Sequence, residues 1–122
     1  MKLTAPLLEN QLAQFTGTTS YHRVLPTLVV TDGVKYLIEH AECMWLAQLF
    51  GLHLIDVDFN DNPFTVCKLE RKDRRAKAVI EDGNGVVLAW QGIDWTDFPL
   101  PTITLYAVWS ERYWVLMLPS EY

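Results

Sequence analysis

Cysteine is scarce in this chain: Cys43 and Cys67 are the only two among 122 residues. Neither has a second cysteine or a histidine at a ligand spacing, so neither a disulfide framework nor a zinc knuckle is expected. Both sit in apolar surroundings, on an expected helix and an expected strand, and read as reduced core thiols. Long apolar runs are missing too. No segment approaches the ~20 consecutive apolar residues that span a bilayer. Glu9, Asn10 and Gln11 stand where a secretory signal needs its apolar core. A cytoplasmic protein without membrane contact is the expectation. Internal repeats, low-complexity tracts and linker-like composition are likewise absent.

Histidine is limited to His22, His40 and His53, scattered over a strand, a helix and a helix end. None has a carboxylate or nucleophile at a dyad spacing; Glu39 and His40 are neighbours but point in different directions on a helix. The loop Asp56-Val57-Asp58-Phe59-Asn60-Asp61 opens like a calcium loop. The match then fails, because Asp61 stands where glycine must turn the chain and Cys67 where a bidentate glutamate is needed. No catalytic residue, cofactor or metal is assigned. An enzyme would need folding to bring one of the three histidines within reach of an acid.

Half of the residues are hydrophobic and a fifth are charged, a composition far from that of disorder. At this length, residues 1–122 are expected to form a single domain around one core. Leu8, Leu12 and Phe15 form an i, i+4, i+7 stripe, so a short helix runs from Pro6 to Phe15 and ends by Gly17. Tyr21–Val24 and Leu28–Val30 read as extended, separated by Pro26. A long helix then starts at Thr31 or Asp32, either of which can cap it. Val34, Leu37, Ile38, Ala41, Trp45 and Leu49 make its apolar face, interrupted by Gln48, and Gly51 is its expected stop.

The second half reads as a meander, with strands near Phe64–Arg71, Ala76–Ile80, Val86–Gln91, Thr102–Trp109 and Tyr113–Leu118. Asp82-Gly83-Asn84-Gly85 is its clearest hairpin turn. Ile103, Leu105, Ala107 and Trp109 alternate with Thr102, Thr104, Tyr106 and Val108, so one sheet face should be drier. The expected fold is α+β with two layers: a mostly antiparallel sheet of about five strands against one long helix and a shorter N-terminal one. An uncovered edge at Thr102–Trp109 or Tyr113–Leu118 would allow a homo-oligomer.

Charge is the strongest functional signal. Lys68, Arg71, Lys72, Arg74, Arg75 and Lys77 face only Glu70 and Asp73 within one decapeptide, a net +4. The remaining four bases and thirteen acids give −9, and the whole chain −5. An acidic body therefore carries one basic hairpin. Such a hairpin either contacts phosphates or an acidic protein surface, or serves only to keep a sheet edge soluble. The acidic body also raises the idea of an inhibitor that imitates nucleic acid, with Glu39, Glu42, Asp56, Asp58 and Asp61 as its carboxylates. The second feature is aromatic. Trp109-Ser110-Glu111-Arg112-Tyr113-Trp114 forms a hairpin with large rings on both sides of a turn. It is either a binding surface around Trp109, Arg112 and Trp114 or a set of cross-strand pairs that stabilise the sheet.

Three blocks give a resemblance across nearly the whole chain. They are Thr31-Asp32-Gly33-Val34-Lys35-Tyr36-Leu37 with Ala41 and Trp45-Leu46; Asp94-Trp95-Thr96-Asp97-Phe98-Pro99-Leu100 with Ile103-Thr104-Leu105; and Leu118-Pro119-Ser120-Glu121-Tyr122. With Glu81-Asp82-Gly83-Asn84-Gly85 between them, this ordered set resembles an uncharacterised domain-of-unknown-function family of small proteins from bacteria, plasmids and phages. The chain departs from that pattern after Trp45-Leu46, where Ala47-Gln48 replaces an expected aspartate. The resemblance implies a small accessory protein, often carried on mobile elements, that modulates a host complex by binding. It supplies no activity, ligand or catalytic residue. The leading expectation is thus a non-enzymatic protein-binding module, with nucleic-acid binding through Lys68–Lys77 as the alternative.

Overall fold

The computed structural model describes residues 2–122. Helix α1 (Ala5–Leu12) leads to strands β1 (Tyr21–Leu25) and β2 (Leu28–Thr31), then helices α2 (Asp32–Ala41) and α3 (Met44–Leu54). Strands β3 (Phe64–Lys72), β4 (Arg75–Glu81), β5 (Val87–Ile93), β6 (Thr102–Ser110) and β7 (Tyr113–Met117) follow, and a 3₁₀ turn at Pro119–Glu121 closes the chain. The architecture is α+β, with one seven-stranded sheet in the order β1-β2-β7-β6-β3-β4-β5.

The sheet is larger than the expected five-stranded meander and is mixed. Strands β1 and β2 join the same sheet, and β2 lies parallel to β7 with Leu28 opposite Trp114 and Val30 opposite Leu116. The helices between them supply the long crossover that a parallel pair needs. Consequently β6 and β7, expected as possible edges, are paired on both sides, and the free edges are β1 and β5.

The expected single long helix is two. Glu42 takes a left-handed conformation at φ 51°, and the Cys43 amide bonds back to the Ile38 carbonyl, which ends α2. The break changes the helical phase. α2 buries Val34, Leu37, Ile38 and Ala41, whereas α3 buries Leu46, Ala47, Phe50 and Leu54, leaving Trp45 and Leu49 half-buried. Gly51 does not stop the helix; it lies inside α3, where a Cβ would come within 2.6 Å of Leu25 and 2.8 Å of Leu28. That bare backbone lets α3 seat closely on β1 and β2.

The core lies between the helices and one sheet face, where Leu8, Leu37, Phe50 and Leu54 meet Leu28, Cys67, Leu69, Ile80, Leu105, Trp114 and Leu116. In β6, Ile103, Leu105 and Ala107 are buried while Thr104, Tyr106 and Val108 are only half-buried, as their alternation requires. The opposite face carries Val66, Lys68, Val79 and Met117, outside the core cluster; among the described residues none of the three α-helices covers it, and Tyr122 packs on its Phe64–Tyr106 end.

Candidate binding surface

The basic decapeptide is the β3–β4 hairpin. Asp73, at φ 56°, turns the chain between Lys72 and Arg75, which lie opposite each other. Directly opposed and alternate residues of a ladder share a face. The register Lys68↔Val79, Glu70↔Lys77, Lys72↔Arg75 therefore puts Lys68, Lys72, Arg75 and Lys77 together on the helix-free face. Lys68 is partly engaged there, 3.1 Å from Glu81. The next strand adds Trp90, opposite Val79, and the Lys77 ammonium stands 5.0 Å from its ring centre. The Trp90 ring is 63% exposed.

Arg71 points the other way and ties the turn down. Its Nε donates to the Leu100 carbonyl at 3.1 Å and a terminal nitrogen to the Asp73 carbonyl at 2.9 Å. The β5–β6 connection, residues 94–101, wraps this side. The Thr96 amide donates to the Arg74 carbonyl and the Arg71 amide to the Pro101 carbonyl, both at 2.7 Å. Buried Phe98 and Leu100 anchor the connection in the core, and the Thr96 hydroxyl accepts from the Phe98 amide at 3.1 Å. Trp95, 64% exposed, lies under the Arg74 guanidinium at 5.7 Å. A cleft of about 510 Å³ opens here between Arg71, Arg74, Thr96, Asp97 and Phe98. Asp97 pairs with Lys2, whose ammonium hydrogen-bonds its carboxylate and holds it below the usual range.

The aromatic C-terminal hairpin lies apart from this surface. Trp114 is 2% exposed and belongs to the core. Trp109 is half-buried, packed edge-on against Trp114 and covered face-on by Phe59, 4.0 Å between ring centres. Of the three residues assigned there, only Arg112 is exposed. Val108 pairs with Phe64, at the far end of β3 from Lys72. At ~3.3 Å per residue the two hairpins stand roughly 25 Å apart. The two tryptophans beside the bases are Trp90 and Trp95, which composition alone does not separate from the buried ones. The polar flank Asp94-Trp95-Thr96-Asp97 was the available signal for Trp95.

Folding does bring one histidine to an acid. His22 Nε2 lies 2.9 Å from Asp32 Oδ1, while the Thr19 amide and hydroxyl donate to Oδ2 at 2.9 and 3.0 Å. The His22 bond, then the Thr19 amide, hold the Asp32 carboxyl well below the ordinary range. That carboxylate secures residues 17–20 to the start of α2. His53 bridges α3 to Gln91 of β5 at 2.8 Å, and His40 stacks on Tyr36. Burial pushes both thiols up to about 12, which makes Cys43 and Cys67 poor nucleophiles. Among the described residues, no three histidine, cysteine or acidic side chains gather in a way that could hold a metal ion. Asp58 accepts from the Asn60 amide as a turn former, and Glu39 pairs with Lys35. Among the described residues no helix is long and apolar enough to cross a membrane.

The C-terminal block meets the first. Glu121 accepts from the Thr31 hydroxyl at 2.6 Å, the Leu118 amide at 3.0 Å and the Gly33 amide at 3.0 Å. A carboxylate thus sits on the N-terminus of α2, where the helix dipole favours it.

Fold and surface together define an α+β protein with a mixed sheet and a rigid basic turn flanked by exposed tryptophans. The chain belongs to the family of unknown function DUF6876, whose model matches residues 6–122. No curated protein and no solved structure matches it.

Proposed function

We propose that this protein is a non-enzymatic binding module whose β3–β4 turn and adjoining Trp90 and Trp95 hold an acidic protein surface. The observation that carries the reading is the pairing of two exposed tryptophans, each beside a cation, with a turn pinned by its own backbone and side-chain hydrogen bonds. Tryptophan and arginine on a rigid support lose little entropy on binding and are enriched among hot spots. The +4 turn on a −9 body would also orient an acidic partner during encounter. An accessory protein of a mobile element, modulating a host complex, fits this mode of action.

The test is capture from lysate of the source cells on immobilised wild type and on the Arg74→Glu, Arg75→Glu double variant. A stoichiometric protein should be retained by the wild type and lost by the variant; equal retention would contradict the assignment. A second reading, single-stranded nucleic acid, draws on the same exposed rings, since bases stack on aromatics beside cations. It requires tryptophan quenching by an oligonucleotide and an affinity that falls steeply with salt.

A further inference from the structure

We infer that β5 is a self-association edge, and that two copies of this chain pair antiparallel through it about a two-fold axis at Gln91. The two free edges of the sheet differ in a telling way. β1 is short, carries Arg23, has a register shift between Arg23 and Leu25 and runs into Pro26, all devices that stop strands from pairing. β5, Val87–Ile93, is seven residues long with no charge and no proline; its own register shift lies at its start, between Val87 and Ala89, and leaves Ala89–Ile93 regular. Every second residue of such an edge turns its N–H and C=O outward, unpaired.

Gly92 supplies the independent observation. A glycine inside a strand costs stability, and it commonly marks a place where another backbone approaches. Nothing within the chain calls for it: its φ is outside the left-handed region, and no atom lies within 4 Å of where a Cβ would stand. Its space opens outward, on the same face as Trp90. With Gln91 opposite its own copy, Trp90 falls opposite Gly92 of the second copy, and the reverse pair forms by symmetry. Each exposed indole then covers the other chain's bare glycine, which is the self-complementarity an isologous contact needs.

The second face of the edge is apolar as well. Leu52 of α3, 58% exposed, borders the groove there with Leu49 and Ile93, beside the His53–Gln91 hydrogen bond. The strand itself carries no charge and suits a like edge; with Trp90 taken up in that pairing, the β3–β4 turn and Trp95 remain for an acidic partner. The backbones of Lys77 and its copy would be three strand spacings apart, about 14 Å. Two rings, two leucines and one strand's backbone on each side make a small interface, so the dimer should be weak and reversible.

The experiment is sedimentation of the whole chain over a micromolar dilution series, needing no partner at the basic turn. The wild type should shift towards twice the chain mass as concentration rises. Gly92→Glu adds a charge that in the single chain meets only Lys77 across the ladder, so its melting temperature should hold while self-association is lost. On mild oxidation Gln91→Cys should give a covalent dimer and Ala89→Cys should not, because only residue 91 faces its copy. A wild type that stays monomeric, a Gly92→Glu variant that associates like wild type, or equal crosslinking at 89 and 91 would overturn the inference.

Discussion

A Cβ at Gly33 would lie 2.5 Å from the Leu118 side chain and 2.6 Å from the Glu121 carboxylate, so a methyl group there must push that carboxylate off the Thr31 hydroxyl and the Gly33 and Leu118 amides. Gly33→Ala should therefore cost about 1–3 kcal/mol, read as a lower urea midpoint with an unchanged slope. Asp32 gives a pH signature. Its carboxyl is held below the ordinary value, so its contribution is complete above the unfolded-state pKa of ~3.9 and fades as pH falls into the acid range. Wild type should exceed Asp32→Asn in stability at neutral pH, and the gap should close on acidification; a gap independent of pH would show that the carboxylate does not carry it. Residue identity alone could not rank the tryptophans. Ladder parity decides that Trp114 turns inward and Trp90 outward, and parity depends on pairings made across most of the chain.

At the scale of elements, the connection 94–101 is what turns a basic hairpin into a fixed surface. Trp95→Ala removes an exposed ring and should move stability by no more than ~0.5 kcal/mol. Phe98→Ala empties a buried site and should cost about 3–5 kcal/mol. It should also speed exchange of the Thr96 amide, which is bonded to the Arg74 carbonyl. Slow exchange at Thr96 in that variant would mean the turn is held by other contacts. Period and turn chemistry made the five later strands, the first helix and the start of α2 legible to within a few residues. They could not show the parallel pairing of β2 with β7, since pairing of strands distant in sequence leaves no local periodicity. The α2–α3 break was equally hidden. Glu42 takes a left-handed turn where glycine would have announced one, and Gln48, the interruption in the apolar stripe, was the only trace of a changed phase.

For the whole molecule, the arrangement is asymmetric. The acidic body contributes the helix layer and the core, and the basic turn with its exposed tryptophans collects at one end of the sheet, on β3, β4, β5 and the connection after β5. The basic turn was legible as a charge cluster; its aromatic companions were not, because Trp90 and Trp95 reach it only through the β4–β5 register and the wrap of residues 94–101. The claim that this end meets a protein partner is tested most directly by placing a photo-crosslinking amino acid at position 95 in the source cells, with position 21 on the opposite edge as control. Trp95 and Tyr21 are similarly exposed, 64% and 58%, so the fold should tolerate the change at both positions. The account predicts one discrete protein adduct from position 95 that is missing from position 21 and disappears in the Arg74→Glu, Arg75→Glu background. Equal adducts from both positions, or an adduct that survives the double charge reversal, would contradict it.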